Sequence, residues 1–81
     1  MDEILRAPRV MRTFGDAGHS TIYDWVTRRL LTPPVKIGPR ASGWPSHEIA
    51  AIREARVAGA TDDEVRDLVR RLVAQRAAIH D

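Results

Sequence analysis

The apolar positions of residues 20–30 predict an amphipathic helix in the first half of the chain. Ile22, Val26 and Leu30 recur every four residues with Trp25 beside them, which places one apolar stripe at helical spacing. The opposite side is polar and consists of Ser20, Thr21, Asp24, Thr27 and Arg28. Short hydrogen-bonding groups with one long cation suit base edges and phosphates in a major groove. By itself, however, such a pattern more often belongs to an ordinary helix with a solvated polar face.

A shorter helix is predicted before this segment. Pro8 suits the first turn of a helix, and Gly15 marks its end. The apolar side chains that are spaced to face a core are Val10, Met11 and Phe14. Arg9 and Arg12 point elsewhere, either towards solvent or towards a DNA backbone. Ahead of this helix, residues 4–6 are a short strand or an extended lead-in.

Residues 16–19 form the predicted turn between the two helices. Glycines on both sides fit a tight reversal with special backbone angles. Either Gly18 or Ser20 is expected to cap the second helix. A short helix, a glycine-containing turn and a second helix with a polar outer face together predict a helix-turn-helix.

Residues 35–44 predict a small two-stranded wing. The two prolines at 33–34 end the preceding helix, and the alternation that follows is typical of a strand. Glycine and proline at 38–43 indicate a hairpin turn, after which Trp44 enters the core. Lys36 and Arg40 are the cations of this hairpin. They either contact a minor groove or phosphate backbone, or belong to a plain solvated hairpin.

Two further helices are predicted in the second half of the chain. The third opens at residues 45–48, buries Ile49, Ile52 and a small alanine (Ala51 or Ala55), and stops at Gly59. Thr61 and Glu64 form a capping box that starts the fourth helix, which runs from about Asp62 to near Ala78 and frays through His80 and Asp81. Its apolar stripe is Val65, Leu68, Val69, Leu72 and Val73.

This pattern divides the chain into a DNA-binding unit at residues 1–59 and a C-terminal helix at residues 60–81. Part of the helical stripe must pack on the first unit. If the helix is longer than the surface it covers, the remainder is available to a second chain. The residues expected to mediate such a homodimer are Leu68, Val69, Leu72 and Val73.

Charge and composition narrow the classes of function. Residues 1–44 carry seven Lys/Arg and four Asp/Glu, whereas residues 45–81 carry six arginines and seven acids, so only the first half is suited to a polyanion. There is no cysteine, and the three histidines are too far apart for a metal site. No paired carboxylates and no phosphate-binding loop are present. We therefore expect neither an enzyme nor a cofactor, metal or small-molecule substrate.

The sequence also lacks a long apolar run and a secretory signal, so we expect a cytoplasmic, nucleoid-associated protein without a membrane partner.

The order of these segments resembles the AlpA family of phage-type regulators. The resemblance rests on Ser20-Thr21-Ile22-Tyr23, on Val35-Lys36-Ile37-Gly38-Pro39-Arg40 with Trp44, and on the acidic helix start at Glu48-Ile49. It covers roughly residues 4–58. Such proteins are small winged helix-turn-helix regulators or prophage-excision factors, related to excisionases and to MerR-type DNA-binding domains. The family's usual Gly-Leu-Ser-Arg turn is replaced here by residues 16–19, and its proline after the helix by Thr32.

The resemblance implies a mainly α fold with a small β-hairpin wing, a recognition helix at 20–29 and a wing at 36–42. Together with the polar face, it predicts sequence-specific binding of double-stranded DNA, with helix two in the major groove. We expect base contacts from Thr21, Asp24 and Arg28. We expect backbone contacts from Ser20, Lys36, Arg40, Arg9 and Arg12, with Tyr23 and Thr27 completing the face. The alternative is an antitoxin-like or partner-binding module that acts through the C-terminal helix.

Overall fold

The computed structural model describes residues 2–79 and shows a small α/β domain of four helices and a three-stranded antiparallel sheet. In chain order the elements are β1 (Ile4–Leu5), α1 (Ala7–Thr13), α2 (His19–Thr27), β2 (Val35–Gly38), β3 (Ala41–Pro45), α3 (Ser46–Val57) and α4 (Asp62–Ile79). All four helices lie where the apolar spacing predicted them. The expected fraying of His80 and Asp81 lies outside the described residues.

The sheet has one strand more than the predicted two-stranded hairpin. Its order is β1-β3-β2, with Leu5 opposite Trp44 and Val35 opposite Gly43. The apolar segment that the sequence left open as a strand or a lead-in is therefore a strand. It covers the second edge of β3, so the hairpin is joined to the N-terminus of the chain as well as to the helices.

Trp44 lies at the centre of the core, as predicted. Its side chain is fully buried, and its indole Nε1 donates a hydrogen bond to the carbonyl oxygen of Thr32 at 2.6 Å. The other buried apolar side chains come from both halves of the chain: Leu5, Val10, Ile22, Leu30, Leu31, Ile49, Ile52, Val65, Val69 and Leu72. Trp25, which was also assigned to the core, is only half-buried and packs edge-on against Phe14 at 5.5 Å between ring centroids.

Helix α2 is shorter at its C-terminus than the apolar stripe predicted. It ends at Thr27, and Arg29 adopts a left-handed backbone with φ 62°. The backbone N–H of Leu30 then donates to the carbonyl of Trp25 at 2.8 Å, which closes the helix end as a Schellman-type turn. Leu30 is buried as expected, but the chain reversal, and not continued helix, brings it into the core.

Of the two glycines predicted to take special backbone angles in the turn between α1 and α2, Gly15 does so and Gly18 does not. Gly15 and Asp16 have φ of 72° and 63°, whereas Gly18 is extended and serves as the N-cap of α2. Glycine adopts the left-handed conformation without a steric penalty, and aspartate tolerates it better than most residues. The turn therefore reverses on residues 15–16.

The C-terminal helix is a core element of the domain. Its predicted capping box is confirmed, because the Thr61 N–H donates to Glu64 Oε1 at 2.8 Å and the Glu64 N–H donates to Thr61 Oγ1 at 3.2 Å. Gly59, with φ 89°, ends α3 as expected.

Two of the four residues predicted for a dimer interface, Val69 and Leu72, belong to the hydrophobic core of the single chain. Both are buried within one chain, because this side of α4 covers the core. Leu68 is half-buried, and Val73 is 36% exposed. The two lie on opposite flanks of the helix, since five residues at 100° each turn by 500°. The exposed part of the stripe is therefore too divided to form one apolar seam.

A buried ion pair joins the start of α3 to the C-terminal part of α4. Glu48 of α3 is fully buried, and both of its carboxylate oxygens accept hydrogen bonds from Arg76 of α4, at 2.7 Å from Nε and 2.5 Å from Nη2. Arg76 Nη2 also donates to the carbonyl of Pro33 at 2.9 Å. One guanidinium thus connects α4, α3 and the segment before the hairpin.

The N-terminal residues cap helix α3 from outside the helix. The N-cap position, Pro45, has no capping side chain. Instead, Asp2 Oδ1 accepts hydrogen bonds from the backbone N–H of His47 at 2.8 Å and from the Ser46 hydroxyl at 2.5 Å, while His47 Nδ1 lies 2.6 Å from Asp2 Oδ2. The hydrogen bond from Ser46 is the largest of the causes that lower the pKa of Asp2 from 3.8 to about 2.

This lowered pKa predicts a loss of stability in acid. The carboxylate is favoured in the folded state, so its contribution is complete above about pH 4 and is lost as the pH falls towards about 2. We expect Asp2→Asn to remove this component. Urea unfolding at about pH 5 and about pH 2.5 should therefore show a smaller acid-induced loss for the variant than for the parent chain. Equal losses in the two proteins would contradict the assignment.

Candidate nucleic-acid interface

Helix α2 presents its polar side to solvent over its whole length. Ile22 is fully buried, while Trp25 and Val26 are half-buried on the same side. The exposed side chains on the other side are those that the sequence assigned to DNA: Ser20, Thr21, Tyr23, Asp24, Thr27 and Arg28. At 100° per residue they cover one continuous arc, so they could face a single surface together.

Three of these side chains, Thr27, Asp24 and Arg28, already have partners on α2 or at its end. The Thr27 hydroxyl donates to the carbonyl of Tyr23 at 3.1 Å, which leaves only its acceptor capacity for a ligand. Arg28 Nη1 lies 3.6 Å from Asp24 Oδ2, and about half of each side chain is exposed. An exposed pair at this distance contributes about 0–1 kcal/mol, so Arg28 can exchange Asp24 for another acceptor at little cost.

The N-terminus of α2 keeps its backbone donors. Gly18 provides no side-chain cap, and the first hydrogen bond of the helix is donated by Ile22 to the Gly18 carbonyl. The N–H groups of residues 19–21 therefore precede the helical hydrogen-bond ladder. Together with the helix dipole, such groups favour an anion such as a phosphate.

Tyr23 connects this helix to the sheet. Its ring packs against Trp44 of β3 at 5.9 Å between centroids, and against His19 at 4.7 Å. Strand β3 of the hairpin therefore contacts α2 through the Tyr23 side chain. Tyr23 is 36% exposed, in agreement with its predicted position between the buried and the polar faces.

The hairpin places its cations and one apolar side chain in solvent. Lys36 and Arg40 are exposed as predicted, and so is Ile37, at 46%. In a strand with regular alternation, Ile37 would lie on the same side as Val35. A register irregularity between Lys36 and Gly38 alters that alternation, so Ile37 was missed as a candidate surface residue.

The cations of the two halves of the chain differ in their partners. Among the residues that the structure describes, no acid pairs with the cations of α1 or of the hairpin. These cations are Arg9 and Arg12 in α1, and Lys36 and Arg40 in the hairpin. In α3 and α4, by contrast, five arginines pair with acids: Arg56, Arg66, Arg70, Arg71 and Arg76. Of the seven cations that form no ion pair with the described residues, four therefore lie on α1 and the hairpin, and the other three are Arg6, Arg29 and Arg53.

The described part of the chain shows neither a metal-binding cluster nor a membrane-spanning helix. Residues 2–79 contain no group of three or more histidine, aspartate or glutamate side chains arranged to hold a metal ion. None of the helices within this range is long and apolar enough to cross a bilayer. Comparisons of the chain with protein families, with characterised proteins and with solved structures gave no match.

Proposed function

We propose that the chain is a winged helix-turn-helix protein that binds double-stranded DNA, of the kind found in AlpA-like regulators and excision factors. In this proposal α1 and α2 form the helix-turn-helix, and β2 and β3 form the wing. The observation that carries it is the distribution of acidic partners: the predicted DNA-contacting cations of α1 and the hairpin have none among the described residues, whereas most arginines of α3 and α4 each contact an acid.

The proposed contacts follow from position and chemistry. Helix α2 enters the major groove with Thr21, Asp24 and Arg28 towards base edges, and Arg28 exchanges its contact with Asp24 for a guanine. Backbone N–H groups at the start of α2 and the Ser20 hydroxyl hold a phosphate.

The wing would contact the adjacent minor groove or backbone. Its Lys36 and Arg40 neutralise phosphates, and exposed Ile37 supplies an apolar contact of the type that minor-groove proteins insert. Arg9 and Arg12, three residues apart on α1, hold a neighbouring stretch of backbone. A single module of this size makes few contacts, so repeated sites or a second module would raise its affinity.

Binding to a labelled generic duplex, followed by fluorescence anisotropy across a salt series, tests this function. Affinity should fall steeply with salt because each phosphate contact releases counterions. Arg40→Ala should weaken binding to all sequences and reduce the magnitude of the salt slope by about 1. Arg53, an exposed cation of α3 outside the proposed surface, provides the matched control, and Arg53→Ala should leave the slope unchanged. Absence of binding at low salt would refute the proposal.

A second prediction concerns sequence readout. After selection of a preferred duplex from a random pool, Arg28→Ala should weaken binding to that duplex by about 1–3 kcal/mol and relax the preference at one position. The variant should fold normally, since Arg28 is exposed and its backbone contacts are retained. An unchanged preference would show that Arg28 does not read a base.

A further inference from the structure

A groove lies between the C-terminal end of α2 and one side of α4. Its floor is apolar and is formed by Val26, Leu31, Val69 and Val73, with Pro33 at one end. Its rim carries three arginines, namely Arg29, Arg66 and Arg70. The volume is about 480 Å³, within the range of pockets that hold ligands in other proteins. An apolar floor beneath guanidinium groups differs from the polar face of α2.

The positive charge of this rim is only weakly compensated. Arg66 pairs with Asp63 at 3.2 Å, and the Asp63 side chain is 95% exposed. Arg70 pairs with Asp67, which is also substantially exposed, while Arg29 forms no ion pair with any described residue. Exposed pairs of this kind are weak, so carboxylates from another molecule could replace Asp63 and Asp67.

The backbone of Arg29 is a second, independent indication. It occupies the left-handed position that ends α2, where glycine is the usual residue, and its φ is 62°. A side chain at this position costs free energy that glycine would avoid. Residues held in such conformations are concentrated at functional sites, which suggests that the Arg29 guanidinium has a use.

We propose that this groove binds a short acidic amphipathic segment of a partner protein. An aliphatic side chain of the segment would lie on Val26, Leu31 and Val73, and neighbouring carboxylates would pair with the three arginines. Val69 and Val73 are four residues apart, so the α4 wall of the floor extends about 6 Å between them. The groove therefore fits one or two apolar anchors and not a long interface.

Charge and shape favour this occupant over others. A nucleic acid supplies anionic groups but no aliphatic side chain for the floor. A second copy of the chain offers Ile37 and Val57 among its exposed apolar side chains, but Lys36 and Arg40 lie near the first and Arg53 and Arg56 near the second, and the rim would repel these cations. An acidic peptide with aliphatic side chains can pack on the apolar floor and also pair with the arginines of the rim.

The probe is a fluorescein-labelled peptide of about twelve residues, roughly three helical turns, with leucine at helical spacing and glutamate elsewhere. We expect saturable binding to the full chain and amide chemical-shift changes centred on the groove. A peptide with lysine in place of every glutamate, and one with serine in place of every leucine, should bind at least about tenfold more weakly because each lacks one of the two contacts.

Arg29→Gly separates a binding role from a structural one. Glycine suits the left-handed backbone, so the melting temperature should be unchanged or raised by up to roughly 5 °C. Peptide affinity should nevertheless fall about tenfold, since a charge-assisted contact is lost. Val73→Glu, at a partly exposed position, should weaken the acidic peptide at least as much, while Arg53→Ala should leave its affinity unchanged.

Several results would overturn the proposal. These are equal binding of the acidic and basic peptides, insensitivity to Arg29→Gly and Val73→Glu, or preferential binding of anionic vesicles. Concentration-dependent self-association that Val73→Glu abolishes, measured by sedimentation, would assign the groove to a second copy instead. DNA affinity, measured in parallel, should be retained in Val73→Glu, so failure here is distinguishable from failure of the proposed DNA binding.

Discussion

Replacement of Arg76 by alanine should destabilise the domain by about 3–5 kcal/mol, the cost of leaving a buried charge without its partner. Glu48 is fully buried and receives both of its strong hydrogen bonds from Arg76. The same change also removes the donor to the Pro33 carbonyl. Small domains are stable by about 0.05–0.15 kcal/mol per residue, or about 4–12 kcal/mol for a chain of 81 residues, so this loss is a large fraction of the total stability.

Equilibrium urea unfolding, followed by circular dichroism, measures this effect. Arg71→Ala is the matched control because Arg71 lies on the same helix and pairs with Asp67 at 3.2 Å while two thirds exposed. It should cost no more than about 1 kcal/mol. A double variant, Glu48→Leu with Arg76→Leu, should recover most of the loss, since apolar replacement of a buried pair is often neutral. If Arg76→Ala costs no more than Arg71→Ala, then Glu48 is not buried in solution.

The Glu48–Arg76 pair also shows where reasoning from the sequence fails. In the sequence, Glu48 was noted as an acid at a helix start, and Arg76 was counted only among the six arginines of residues 45–81. The two are 28 residues apart, and nothing in the local pattern indicates that the turn at Gly59 folds one helix back to bring them together. The Asp2 contact with the start of α3 is similar, since it joins residues separated by 45 positions.

Local signals were read with more success. The capping box at Thr61 and Glu64, the stop at Gly59 and the burial of Trp44 depend on neighbouring residues or on one large apolar side chain, and all three are confirmed. The end of α2 was misjudged because Leu30 continues the helical spacing. The left-handed residue that breaks the helix is an arginine, which gives no such warning.

In the candidate site, too, the features that depend on local spacing could be predicted, and those that depend on tertiary packing could not. The exposed arc of α2 could be deduced from spacing alone, because burial of Ile22 determines which side faces solvent. The exposure of Ile37 could not be deduced in this way, because it depends on a register irregularity in the hairpin. The groove beside Arg29 depends on tertiary packing between α2 and α4, which cannot be located from local sequence patterns.

Replacement of Gly43 by alanine is expected to cost about 3 kcal/mol, at the upper end of the range for overpacking. A Cβ at this position would lie 2.4 Å from Ile4 Cγ2 and 2.9 Å from the carbonyl oxygen of Leu5. The Ile4 side chain is partly exposed and can rotate away. The Leu5 carbonyl belongs to the backbone of β1, however, so the strand itself must move away from β3.

Displacement of β1 should also release the N-terminal contacts with α3. The Glu3 N–H donates to Ser46 Oγ at 2.8 Å, and the Ser46 N–H donates to the Glu3 carbonyl at 2.7 Å. Hydrogen exchange should therefore speed up at residues 3–5 of Gly43→Ala relative to the parent chain, beyond the change expected from global destabilisation. The hairpin β2–β3 should remain protected, because the added methyl group lies against β1 and not against β2.

Gly38→Ala is the control for this prediction, since it adds the same atom to the same hairpin. Its Cβ would meet Ala41 Cβ at 3.8 Å, which is an ordinary contact, and the cost should stay below about 1 kcal/mol. If Gly43→Ala proves as mild as Gly38→Ala in urea unfolding, β1 does not pair closely with β3 in solution. The three-stranded sheet would then reduce to the two-stranded hairpin that the sequence predicted. A selective loss in Gly43→Ala would instead show that an otherwise unremarkable glycine is what lets the N-terminus brace the proposed wing.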